Sequence, residues 1–173
     1  MSSEPVTAMQ QRIELTYRTP VSPLQQRFDE KLAAGVITGQ RCPECRKVYV
    51  PPKGFCPICS VATPEEAEVA DRGIVTSFTV VAPIQYPGQT ETEEYVLASV
   101  LLDGADATIG QQRIEGVSHD HVRMGMRVRA VWNDPAERST EACGRIGFGA
   151  AIRHFVPSGE PDAQPEDYGE HVF

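Results

Sequence analysis

Nowhere does the sequence run to about eighteen consecutive apolar residues, so no segment of it can cross a bilayer as a helix. Met1 to Pro20 sets Glu4, Arg12, Glu14 and Arg18 among polar residues and lacks the apolar stretch of a signal peptide, from which a soluble, cytoplasmic protein with no membrane partner is expected. A strongly basic face is also missing, the formal net charge being -8. Such a chain lacks the phosphate-neutralising charge that supplies most nonspecific nucleic-acid affinity, which disfavours DNA and RNA. There is no Gly-rich phosphate loop, no nucleophile elbow and no internal repeat, so nothing resembles a self-sufficient active site. With 173 residues, 40% of them hydrophobic, there is material for one main core and a small attachment.

What the sequence does have is a run of cysteines. "RCPECRKVYVPPKGFCPICS" places Cys42 and Cys45 in one Cys-Pro-x-Cys knuckle and Cys56 and Cys59 in a second. In a reducing cytosol thiols stay free, so metal ligation leads over disulfides. Four thiolates from two tight knuckles make a closed tetrahedral site that suits zinc and leaves no position for water or substrate, which makes the metal structural. Iron has the same ligand set, but no flavin or redox motif accompanies the site, and the βαβ context of a thioredoxin-like pair is missing. A segment this short, with Val48, Tyr49, Val50, Phe55 and Ile58 as its apolar residues, cannot build an adequate core without the metal. The basic residues Arg41, Arg46, Lys47 and Lys53 offset the charge of a four-thiolate zinc site, which leaves a poor grip for phosphate.

The flanking segments give the organisation. Residues 1–38 carry one amphipathic helix: Ser22 and Gln25 form a capping box, Pro23 takes the first helical position, Leu24, Phe28 and Leu32 make the stripe, and Gly35 stops it. Residues 39–60 are the cysteine module, and 61–71 an acidic connector. Five strands are then expected over 72–157. "GIVTSFTVVAP" sets Ile74, Phe78 and Val80 on one face, interrupted by Thr76, and "EYVLASVLLDG" is apolar on both faces. Asp103-Gly104 turns that strand into "ADATIGQQRIEG". "MRVRAVW" points Met126, Val128, Ala130 and Trp132 inward and Arg127 and Arg129 outward. "RIGFGAAIRHFVP" reads as a last strand whose Gly147, Gly149 and Ala151 leave a bare face, either for a neighbouring backbone or for a sharp bend. The fold class is therefore mainly β, with a partly open five-stranded OB-type barrel favoured over a small sandwich. Residues 158–173, acidic and proline-rich, read as a flexible C-terminal tail whose apolar end could dock on a partner.

Other candidate chemistry is thin. His119 and His121 flank Asp120 without a third ligand at a recognisable spacing and read as loop histidines. His154 lies in the last expected strand, either buried or at the surface. Cys143, with no identifiable base, reads as an inert small residue, and the acidic run Glu91, Glu93, Glu94 before Tyr95 as a loop between strands.

Taken in order, the helix, the four-cysteine hook followed by Pro51-Pro52, "DRGIVTSFTVV", "YVLASVLLDG", "MGMRVRAVW" and "RHFVP" resemble the acyl-CoA-associated OB-fold family known as domain of unknown function thirty-five, over about Phe28 to Pro157. The resemblance implies a rubredoxin-like zinc ribbon with Cys42, Cys45, Cys56 and Cys59 as ligands, and a noncatalytic partner of thiolase-superfamily enzymes. These include thiolases, acyltransferases and the lipid-transfer-protein-like aldolases of steroid side-chain degradation. The partner would hold the catalytic residues, and this chain would help shape an acyl-CoA site within a hetero-oligomer. The competing expectations are a single-stranded nucleic-acid-binding zinc-ribbon/OB module and a stand-alone enzyme using His119 and His121. "AAGVITGQRC" departs from the family's usual Gly-Lys-Leu-rich approach to the first knuckle.

Overall fold

Ser22 and Pro23 start the first element where their chemistry predicts. In the computed structural model, which describes residues 13–17, 19–83 and 93–172, the helix α1 spans Pro23–Ala33. The Ser22 hydroxyl accepts from the Gln25 amide N–H at 3.1 Å, one arm of the predicted box. The return arm is missing, because the Gln25 side chain donates instead to Asp29 Oδ1 at 2.8 Å. Phe28 and Leu32 are buried, and so is Asp29, which the apolar stripe does not foretell. Gly35 leaves the helix at φ 85°, a conformation that costs glycine nothing.

Three strands follow: β1 (Ile37–Arg41), β2 (Val48–Tyr49) and β3 (Glu65–Val69), in the sheet order β2-β1-β3. The expected acidic connector is therefore partly a strand, antiparallel to β1 from Ile37 opposite Val69 to Arg41 opposite Glu65. Ala67 and Val69 face the core, while Glu65, Glu66 and Glu68 stay exposed. Carboxylates on an edge strand keep it from pairing with a foreign chain, and their number hides the period of two.

Strands β4 (Arg72–Val81), β5 (Tyr95–Leu102), β6 (Thr108–Ile114), β7 (Arg127–Trp132) and β8 (Ile152–Pro157) close into a barrel in the order β4-β5-β6-β8-β7. Its parallel contact joins β6 to β8 at Ile114 and Phe155; the other ladders are antiparallel. The five strands of an OB fold are as expected, but the barrel is closed rather than partly open.

One face assignment is corrected. A register shift between Val75 and Ser77 absorbs the fully buried Thr76, so Ile74 and Phe78 fall on opposite faces: Ile74 is outside, opposite Leu101, while Phe78 and Val80 share the face of Ala98 and Val96 but, towards the end of β4, remain 39% exposed. Asp103-Gly104 makes the predicted turn. In β7, Val128 and Ala130 point inward with the preceding Met126, and Trp132 is half-buried with its indole N–H donating to Asp71 at 2.9 Å.

The expected long last strand is also corrected. Ser139 caps a helix α2 (Thr140–Ile146), accepting from the Ala142 N–H at 3.1 Å; a second helix α3 (Phe148–Ala151) follows, and only Ile152 onward is strand. Gly147, at φ 69° and ψ -137°, is the break between the two helices rather than part of a bare sheet face. The helical insert packs on α1, with the Phe148 ring edge-on to Phe28 at 5.7 Å.

The tail is a third correction. Residues 165–168 form α4 (Pro165–Tyr168), whose start is fixed by a capping box in which the Gln164 N–H donates to Asp167 Oδ2 at 3.0 Å. Tyr168 is buried against Ile74 and Leu101 on the outside of the barrel. Composition argued for a flexible segment, but it takes one ring and a pair of apolar side chains presented by β4 and β5 to seat it. This cover accounts for the apolar Leu101 on the outer face of β5.

One core cluster runs from Phe28, Leu32, Ile37, Val48 and Val50 into the barrel interior at Val75, Val100, Val128 and Phe155. A reciprocal backbone clamp joins the two parts: the Val48 N–H donates to Asp106 Oδ2, and the Asp106 N–H donates to the Val48 carbonyl, both at 2.8 Å.

Candidate metal centre

The two knuckles repeat one hydrogen-bond pattern. The Cys42 N–H donates to the Lys47 carbonyl at 2.9 Å and the Cys56 N–H to the Val61 carbonyl at 2.8 Å. The Arg46 N–H then closes back on the Cys42 carbonyl and the Ser60 N–H on that of Cys56. In each knuckle the second cysteine's N–H points at the first cysteine's sulfur, at 3.4 Å for Cys45 to Cys42 and for Cys59 to Cys56. Such N–H···S contacts favour the thiolate over the thiol.

All four Sγ atoms lie within 4.8 Å of one another, and Cys45 and Cys56 are 3.7 Å apart. A tetrahedral zinc with bonds of about 2.3 Å needs sulfurs about 3.8 Å apart, whereas a disulfide needs about 2.05 Å. The four cysteines are free and converge, so the donor set fits a structural zinc and leaves no ligand position open. Among the described residues no other group of three or more His, Cys, Asp or Glu converges on one point.

The four sulfurs are unequal in acidity because they crowd one another. Burial works against ionisation of Cys56, yet the N–H groups of Cys59 and Ile58 and the Tyr49 hydroxyl, 3.6 Å away, bring its thiol down to about 6. Burial and the neighbouring sulfurs push Cys59 up to about 12. Burial also raises the Tyr49 phenol, which keeps it protonated as a donor to sulfur. Four crowded sulfurs cannot all ionise without a metal, and metal binding therefore releases protons.

Second-layer groups that the cysteine spacing does not reveal hold the knuckles in place. The buried Gln40 Oε1 accepts from the Gly54 N–H at 2.8 Å and the Thr63 hydroxyl at 3.0 Å, tying β1 to the second knuckle. Arg41 and Arg46 pair with Glu65 at 2.9 and 3.4 Å, so the acidic edge strand shares the basic charge expected to serve the thiolates.

After each second cysteine the chain takes a left-handed turn, with Arg46 at φ 64° and Ser60 at φ 58°. An L-residue there costs roughly 1–2 kcal/mol relative to the right-handed region, which glycine escapes. Ser60→Gly is therefore expected to stabilise the metal-loaded protein by about 0.5–1 kcal/mol, read as a higher denaturation midpoint in urea with unchanged zinc content.

The remaining candidates do not form a second site. His119, in a single helical turn, lies 3.1 Å from Asp120 and 3.7 Å from Glu94, while His121 is exposed and does not join it. His154 is half-buried, with Nδ1 3.2 Å from Glu115. Cys143 is buried in the core, where desolvation raises its thiol pKa, in keeping with an inert residue. Glu91 lies outside the described residues.

Comparison with known proteins meets this geometry twice over. Residues 29–65 match the rubredoxin-like zinc ribbon domain of ChsH2, and residues 66–133 its C-terminal OB-fold domain. A DUF35 domain-containing scaffold protein from Methanocaldococcus jannaschii is 33% identical over 115 residues, covering 65% of this chain and 78% of the relative. Among solved structures, the Ltp2-ChsH2(DUF35) aldolase aligns with TM-score 0.56 at 22% identity, over 82% of this chain and 99% of that one. A DUF35-family protein of unknown function from Sulfolobus solfataricus aligns with TM-score 0.52 at 20% identity, over 63% and 78%. At those identities the structural likenesses speak for the fold alone.

Proposed function

This chain belongs to the DUF35 family of paired zinc-ribbon and OB-fold domains, and from that premise we propose that it is a noncatalytic accessory subunit of a carbon–carbon bond-cleaving enzyme complex. The observation that carries the reading is the closed four-sulfur site. A metal with every position taken by thiolate activates no water and polarises no carbonyl, so the centre fastens and does not react. The similar proteins include a DUF35 domain-containing scaffold protein and the Ltp2-ChsH2(DUF35) aldolase, which support the reading. Cys42, Cys45, Cys56 and Cys59 are the proposed zinc ligands.

Finer features of the proposal follow the family. The catalytic partner is a thiolase-like or lipid-transfer-protein-like aldolase subunit acting on an acyl-CoA of lipid or steroid breakdown in the cytoplasm, and this chain organises that subunit and helps shape its acyl-CoA site. Among the described residues no helix is long and apolar enough to cross a membrane.

Affinity capture of the tagged full chain from its source cells tests the proposal. A co-purifying larger subunit is expected, with carbon–carbon lyase activity on acyl-CoA that falls at least about tenfold, some 1.4 kcal/mol in barrier, when this chain is omitted. Full activity of the larger subunit alone would refute the accessory role. Salt-sensitive capture of single-stranded nucleic acid instead would favour the other reading of a ribbon and an OB fold.

A further inference from the structure

We propose that residues 158–172 form a charge-held strap that opens and recloses on the folded barrel, uncovering the apolar pair Ile74 and Leu101. Strand pairing sets these two side chains opposite each other on the outer face, and Tyr168, with Ala163 beside it, is their cover. Gly125, at φ 85°, makes room for the strap: an added Cβ would lie 2.9 Å from the Ala163 carbonyl and 3.3 Å from the Tyr168 ring. The backbone is pinned to the barrel at two points, Ser158 N–H to the Arg127 carbonyl at 2.9 Å and Ala163 N–H to the Gly125 carbonyl at 2.8 Å.

The rest of the hold is ionic. Arg123 grips Asp162 with two guanidinium nitrogens, one of them at 2.8 Å. Arg127, anchored on Asp103, reaches Glu160 at 3.2 Å, and Arg72 approaches the same carboxylate at 3.7 Å. Arg123 is 55% exposed and Arg72 56%, whereas Arg127 is only 16% exposed; each solvated pair contributes modestly and is screened by salt, and their sum is what holds the segment. One aromatic anchor and a set of solvated pairs must together offset the chain entropy of the whole segment. That places the strap at the low-stability end of the molecule, where opening precedes global unfolding.

Hydrogen exchange on the full, metal-loaded chain tests this. Amides of 158–172 are expected to exchange about tenfold faster in about 1 M sodium chloride than in about 50 mM, while those of Val75, Val100 and Val128 keep their protection. Arg123→Glu should reproduce the acceleration at low salt, and adding Asp162→Arg should restore protection by reversing the pair. Both side chains are surface groups, so the fold tolerates the swap. Binding of an apolar dye should rise with opening as Ile74 and Leu101 emerge. Protection of the strap that ignores salt, that equals the barrel's, or that survives Arg123→Glu would overturn the proposal.

Discussion

A Cys56→Ser chain is expected to purify without zinc and with its two knuckles, residues 42–47 and 53–63, unfolded, while β2, Val50 and the barrel keep their structure. Structural zinc in small peptides contributes roughly 10–16 kcal/mol, comparable with the entire stability of a domain at about 5–15 kcal/mol. The knuckle segment has little else. Its own cluster of buried residues is Cys42, Tyr49 and Cys56, while Phe55 and Ile58 are exposed. Val48 and Val50, by contrast, belong to the continuous main core, which sets the boundary of the damage. Elemental analysis should fall from one zinc per chain to none, and amide protection should vanish across the knuckles but persist at Val100 and Val128. Chelation of the unaltered chain should reach the same state. Native protection at Cys45 and Cys59 in a zinc-free chain would contradict the structural role of the metal.

Phe155→Ala is expected to be the most damaging single change in the barrel, costing about 3–5 kcal/mol. Phe155 is fully buried, lies opposite Ile114 at the parallel contact, and gives its carbonyl to the Glu115 N–H at 2.9 Å. Truncation leaves a cavity at the seam where β6 and β8 close the barrel, and close packing around it prevents collapse of the space. At roughly 2–4 °C per kcal/mol for a chain of this size, the thermal midpoint should fall by about 10 °C or more. Phe155→Leu, which keeps most of the volume, should lose much less. A drop of under about 1 kcal/mol for the alanine variant would show that the seam does not depend on this ring.

Most of what places the metal could be read from the sequence, because it is local. The knuckles are four-residue units, the helix start is fixed by Ser22 and Pro23, and the β5–β6 turn by Asp103 and Gly104. What could not be read depends on partners distant in sequence. Glu65 to Val69 looks like a solvated connector until β1 supplies its ladder, although the alternation of Ala67 and Val69 with glutamates was there to be seen. The helical insert before β8 is masked by alternating apolar residues at Ile146, Phe148, Ala150 and Ile152; the readable signal is Ser139 as an N-cap with Glu141 in the first turn. Thr76 looked like a flaw in a strand and turned out to be the bulge that sends Ile74 outward. The tail was illegible for the same reason, since Tyr168 docks on a surface that exists only after the bulge has formed. Gln40 and Thr63 could not be singled out either, being ordinary polar residues until the fold brings both to one buried oxygen.

The clamp between Val48 and Asp106 makes the ribbon and the barrel one lever. Its paired bonds join a strand of one to the segment leading out of the β5–β6 turn of the other, and one continuous core that includes Val48 packs beneath them. The ribbon and the barrel should tumble in solution with a single rotational correlation time.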